Sequence, residues 1–110
     1  MKYLRVTAFA LASLVSPAQA DISERDLESL KGFTIIGAYT VTGFLDEKGK
    51  RSDDFEGCDF DRRIILDDQY IVTCNEYGYK YAYRPKAIIF GDGSTLRMLV
   101  AGRIYRVTKG

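Results

Sequence analysis

Histidine and tryptophan are absent from this 110-residue sequence, and cysteine and proline occur only twice each. Without histidine there is no Ser–His–Asp or Cys–His catalytic unit, no histidine-based zinc site and no histidine-held haem. An excess of either charge is also lacking: 16 bases against 15 acids leave a net +1. That balance offers no electrostatic footprint for nucleic acid. No apolar run reaches the length of about 20 residues that a membrane span needs. Low-complexity sequence is missing too, since 46% hydrophobic and 28% charged residues is an ordinary globular mixture.

The first segment reads as an address label. Lys2 and Arg5 give a positive start, Val6–Val15 is an uncharged apolar stretch, and Ser16-Pro17 breaks it. Ala18-Gln19-Ala20 then supplies the small residues that a signal peptidase accepts, so residues 1–20 are predicted to be a cleaved secretory signal. Asp21 rather than cysteine follows the cleavage point, so there is no lipoprotein signal. Residues 21–110 are then one small domain in the periplasm or secreted beyond it, without a membrane span of its own. Export governs the reading of Cys58 and Cys74: an even pair in a small domain outside the cytosol is expected to form a disulfide. Closing a loop of that size stabilises a fold by about 3 kcal/mol on the chain-entropy argument.

Ser23-Glu24-Arg25-Asp26 has the form of a capping box opening a short helix, with Leu27 and Leu30 on one side and Gly32 as the stop. From Phe33 the pattern changes to strand and turn. Phe33–Leu45 is rich in β-branched and aromatic residues, with Gly37 and Gly43 marking bends or bulges, and the polar stretch Asp46–Gly57 reads as a loop. Hairpin registers follow from asking which pairing segregates apolar residues. The loop Asp67-Asp68-Gln69 sets Leu66 opposite Tyr70 and Ile64 opposite Val72, with Cys74 on the same face. The turn at Asp92-Gly93 sets Ile89 opposite Leu96 and Ala87 opposite Met98. A turn at Ala101-Gly102 pairs Met98 with Tyr105 and Leu96 with Val107. One face therefore collects Ala87, Ile89, Leu96, Met98, Val100, Tyr105 and Val107. The predicted fold is mainly β: a short N-terminal helix, then five or six antiparallel strands in a small barrel or sandwich, OB-like or SH3-like. Adjacent apolar pairs such as Ile64-Ile65 and Ile88-Ile89 favour closure into a barrel.

Tyr77, Tyr79, Tyr81 and Tyr83 recur at every second residue, which on a strand puts four phenols on one face. Exposed, the row is a stacking platform for sugar rings or bases; buried, it is a wall of core aromatics. The tyrosines share the odd parity of Ala87 and Ile89, so an uninterrupted strand buries them, and burial is the favoured expectation. A one-residue bulge at Pro85 would instead turn them outward.

Charge is unevenly distributed along the domain. Residues 21–76 hold 14 acids and 7 bases, whereas residues 77–110 hold 7 bases and only Asp92. In the hairpin register Arg97 stands opposite Arg106 on the outer face, beside Lys86, Ile88, Phe90, Leu99 and Ile104. Like charges directly opposed are destabilising. Either the helix, with Glu24, Asp26 and Glu28, covers this face, or a partner does, or the register differs. Asp53, Asp54 and Glu56 open the densest run of acids, continued by Asp59 and Asp61. They lack the spacing of a calcium loop and the context of a catalytic carboxylate pair. No nucleophile site is visible, so no enzyme, cofactor or metal is expected.

The run Phe55-Glu56-Gly57-Cys58-Asp59, followed by Cys74-Asn75-Glu76-Tyr77-Gly78-Tyr79-Lys80-Tyr81-Ala82-Tyr83-Arg84-Pro85, resembles small exported uncharacterised proteins of alphaproteobacteria. The resemblance spans most of the domain and implies export and a compact β fold, but no chemistry. Periplasmic lysozyme inhibitors are similar in size, export, β content and a disulfide, without a shared inhibitor motif. The expectation is a non-enzymatic binding module whose partner is a protein or an envelope glycan. Its candidate contacts are Tyr77, Tyr79, Tyr81, Tyr83, Lys86, Arg97 and Arg106, or, for an inhibitor of a wall-degrading enzyme, the loop carrying Asp53, Asp54 and Glu56.

Overall fold

A computed structural model describes residues 22–110; the predicted leader and its cleavage point lie outside the described residues. The first element, α1 (Glu24–Glu28), forms where the capping box was read. The Ser23 hydroxyl accepts from the Asp26 amide at 3.1 Å, and the Asp26 carboxylate accepts in return from the Ser23 amide at 3.1 Å. Helix α1 buries none of its own residues.

Seven strands follow: β1 (Thr34–Leu45), β2 (Arg51–Ser52), β3 (Arg63–Leu66), β4 (Tyr70–Cys74), β5 (Lys86–Gly91), β6 (Leu96–Val100) and β7 (Arg103–Lys109). They are hydrogen-bonded in the order β2-β1-β3-β4-β7-β6-β5, and β1 also pairs with β5. That last pairing closes six antiparallel strands into a barrel, with β2 an extra strand on β1. Closure removes the open sheet edges that a sandwich would have to protect. The length of β1 makes it possible: its first half pairs with β5 and its second half with β3. The register slips between Ile35 and Gly37 and again between Val41 and Gly43, so both glycines mark bulges, as their position suggested.

The hairpin between β3 and β4 has the expected pairs Leu66–Tyr70 and Ile64–Val72. The pairs Met98–Tyr105 and Leu96–Val107 are likewise as read. In the β5–β6 hairpin the observed pairs are Ile89–Met98 and Ala87–Val100, two residues away from the expected register. The cause is the turn. Asp92 accepts through Oδ1 from the Ser94 and Thr95 amides at 2.9 and 2.7 Å, its own amide donates to the Thr95 carbonyl, and Gly91 then pairs with Leu96. A shift of two leaves parity intact, so the inward set survives. Ala87, Ile89, Met98, Val100, Tyr105 and Val107 are buried with Val41, Ile64, Leu66 and Val72 in one core, against which Leu96 packs.

One end of the barrel is plugged by chain outside the strands. At this end lie the last residues of β1, β4 and β6 and the first of β3, β5 and β7. Phe55 and Ala82 exchange backbone hydrogen bonds at 3.0 and 2.9 Å, and Cys58 and Gly78 exchange another pair at 2.9 Å each. This short ladder lies over Tyr105: the Phe55 ring meets it edge-on at 6.2 Å, and its hydroxyl donates to the Gly78 carbonyl at 3.1 Å. Cys58 and Cys74, with Cα atoms 5.5 Å apart, are joined by a disulfide that ties the flap to β4. The segment Asp46–Gly57, read as a polar loop, thus also contains β2 and one fully buried anchor, Phe55.

Candidate functional site

The four tyrosines are on the surface: Tyr77, Tyr79, Tyr81 and Tyr83 are 65%, 60%, 53% and 68% exposed. The expectation of burial is overturned, and the cause lies just after the row. Arg84 adopts the left-handed region at φ 46°, and Pro85 has no amide proton with which to extend a ladder. The strand pairing resumes only beyond it, with the Pro85 carbonyl accepting from the Val41 amide at 2.8 Å. The kink changes the parity of everything before it. Gly78 is buried and Ala82 half-buried, and the phenols point away.

Glycine is required where the flap is closest. Gly57 has φ 85°, and a Cβ there would stand 2.1 Å from the Gly78 carbonyl oxygen and 2.6 Å from the Lys80 nitrogen. A Cβ on Gly78 would meet the Arg103 guanidinium at 2.9 Å and the Tyr105 ring at 3.0 Å. Beneath the flap Arg62 lies over the Phe44 ring at 4.3 Å and donates to the carbonyls of Glu56 and Gly57 at 3.3 and 3.2 Å. The platform that carries the tyrosines is therefore anchored by Phe55, Arg62, Tyr105 and the disulfide. Among these the cysteines and Tyr105, as an inward-facing residue, were read from sequence, and Arg62 was not. Phe55 carried a signal, as an aromatic residue isolated among acids.

The same ladder brings the two rival sites of the sequence together. Phe55 faces inward opposite Ala82, so Asp54 and Glu56 on either side of it flank the tyrosine face. The charge of the Asp54 carboxylate beside Tyr81 holds that phenol above its ordinary pKa, and desolvation and the charge of Glu56 push the same way. Asp53 is engaged by Arg51 at 3.1 Å, and the same guanidinium reaches Asp68 at 3.1 Å. Arg84 lies over the Tyr83 ring at 6.0 Å.

The basic candidates do not join this face as a group. Lys86 donates to the Thr40 hydroxyl at 3.2 Å. Arg97 and Arg106 are opposed across β6 and β7, as expected. Their partners are not the helix acids: Arg106 pairs with Glu76 at 3.6 Å, while Arg97 lies over the Phe33 ring at 5.1 Å. Among the described residues no helix is long and apolar enough to cross a membrane. The buried disulfide fits an environment outside the reducing cytosol. No protein-family model, curated protein or solved structure matches this chain.

Proposed function

We propose that this chain is a non-catalytic binding module acting outside the cytoplasm, and that its tyrosine face takes an extended envelope glycan. The observation that carries the reading is the joint exposure of Tyr77, Tyr79, Tyr81 and Tyr83 on a platform braced from below. The row covers residues 77–83, bridged to Cys58 and Phe55 at Gly78 and Ala82, and offers several rings in succession, which suits a linear polymer better than a compact metabolite. Phenol rings offer flat apolar surface to the faces of sugar rings, and Asp54 and Glu56 offer acceptors for hydroxyl groups. Rigid tyrosines lose little entropy on binding. Acids on one side of the row, with Lys80 and Arg84 in it, suit a neutral ligand better than a polyanion.

The inhibitor reading draws less support, because Arg51 already occupies Asp53 and Asp54 lies beside Tyr81. Titration with neutral wall-type oligosaccharides, followed by tyrosine fluorescence, tests the proposal. Binding should saturate, and Tyr79→Ala should weaken it about fivefold or more while leaving the urea midpoint unchanged. Inhibition of a lysozyme panel, abolished by Asp53→Ala with Asp54→Ala and untouched by Tyr79→Ala, would instead support the inhibitor.

A further inference from the structure

The end of the barrel opposite the flap is open. It is bounded by the first residues of β1, β4 and β6, the last of β3, β5 and β7, and the turns between β3 and β4 and between β5 and β6. A small barrel is ordinarily filled by its own inward side chains, but two inward positions at this end are glycines. Gly37 stands opposite the buried Ile89, and Gly91 follows Ile89 by two residues on β5 and is itself buried. Neither has a positive φ, so the backbone does not require glycine there; space does. A Cβ on Gly37 would meet the Tyr39 hydroxyl at 2.5 Å, and one on Gly91 would meet the Ile36 Cδ1 at 2.5 Å and the Leu96 Cδ2 at 3.2 Å.

The hollow that remains is a cavity of about 580 Å³, walled by Ile36, Tyr39, Leu66, Tyr70, Ile89 and Leu96, a volume within the range of small-molecule sites. Leu66 and Ile89 are buried at its floor, while Ile36 and Tyr70 are 56% and 49% exposed at its lip. Tyr39 and Tyr70 meet edge-on at 5.5 Å, and the half-exposed Tyr70 keeps ring surface free for a third partner. Charge favours neither sign. Among the described residues no acidic side chain lines the cavity, and its one lysine, Lys109, is exposed. The bounding turns carry acids that are already engaged: Asp67 accepts from the Thr40 amide at 2.8 Å, Asp68 pairs with Arg51 at 3.1 Å, and Asp92 accepts from amides of its own turn.

We infer that the open mouth is a binding site for a neutral aromatic molecule of one or two rings, seated on Leu66 and Ile89 with a ring against Tyr70 and Ile36. Neutrality follows from the lining: a charged group would leave water for apolar walls and find no free counter-charge. Aromaticity follows from the tyrosine pair. A third ring adds edge-to-face contact to its burial, whereas a saturated ring of the same size has burial alone, and the difference is about fivefold in affinity. The floor of buried side chains limits the depth, so Met98 and Val100, fully buried further in, are out of reach. This site and the tyrosine row lie at opposite ends of the barrel, and neither reading depends on the other.

Backbone amide NMR on the oxidised protein at neutral pH, titrated with 2-naphthol, decahydro-2-naphthol, 2-naphthoate and 2-naphthylmethylammonium, tests this. The neutral aromatic probe, 2-naphthol, should give saturable shifts at Ile36, Leu66, Tyr70 and Leu96. Its saturated analogue should bind about fivefold more weakly, and neither charged analogue should bind more tightly than 2-naphthol. Tyr70→Leu keeps apolar bulk but removes the ring, and should bring 2-naphthol down to the affinity of the saturated analogue without changing the latter. Gly91→Val should fill the hollow and weaken both neutral probes about tenfold. Equal or tighter binding of the saturated analogue, tighter binding of either charged analogue, shifts confined to Tyr77–Tyr83, or no saturable shift at the mouth in the wild-type protein would overturn the inference.

Discussion

Asp92 shows how much one exposed carboxylate does in a tight turn. Its Oδ1 accepts from the amides of Ser94 and Thr95 and from both their hydroxyls, and these bonds hold its pKa down to about 2. A carboxylate whose folded pKa is depressed stabilises the fold above its unfolded value, and that contribution is lost as pH falls through the folded value. Asp92→Ala should therefore lower the urea midpoint at neutral pH, and the gap from wild type should close as the pH approaches about 2. A gap independent of pH would show that the turn does not depend on the ionised side chain.

At the scale of elements, the flap is the part of the structure most exposed to single changes. Gly57→Ala would force a β-carbon into the Gly78 carbonyl and would hold alanine at a left-handed φ, which alone costs about 1–2 kcal/mol. Because the obstacle is backbone, the ladder has to open. The expected result is a loss of roughly 2 kcal/mol or more in urea unfolding, with faster hydrogen exchange at the Cys58 and Gly78 amides than at β5 or β6. Helix α1 and the hairpins were legible in the sequence because their signals are local: a capping box, two-residue alternation and turn residues. Parity protected the inward set even where the β5–β6 register was two residues off. The tyrosine row was misjudged because parity was carried across Pro85, where Arg84 resets it.

For the whole molecule, closure of the barrel and the crosslink act on different parts of the free energy. Met98 is fully buried in the core between Ile89 and Tyr105; truncation to alanine removes transfer energy and leaves a cavity, at about 2–5 kcal/mol. Against a typical total of roughly 5–15 kcal/mol, Met98→Ala should lower the urea midpoint by a large fraction. Replacing Cys58 and Cys74 together by serine should cost about 3 kcal/mol by freeing the unfolded chain, and wild type treated with a reductant should reproduce that loss. The two changes should add within about 0.5 kcal/mol if the core and the crosslink are independent.

The order of residues by itself determined the β class, the inward-facing set, the capped helix and the pairing of the only two cysteines, because each follows from neighbours close along the chain or from composition. Only the tertiary structure decided that β1 would reach both β3 and β5 and close the barrel, and that Phe55 would be an anchor. It also turned the tyrosines to solvent beside Asp54. Those outcomes depend on contacts between residues far apart in sequence and on a single backbone reversal at Arg84-Pro85, which no local periodicity encodes.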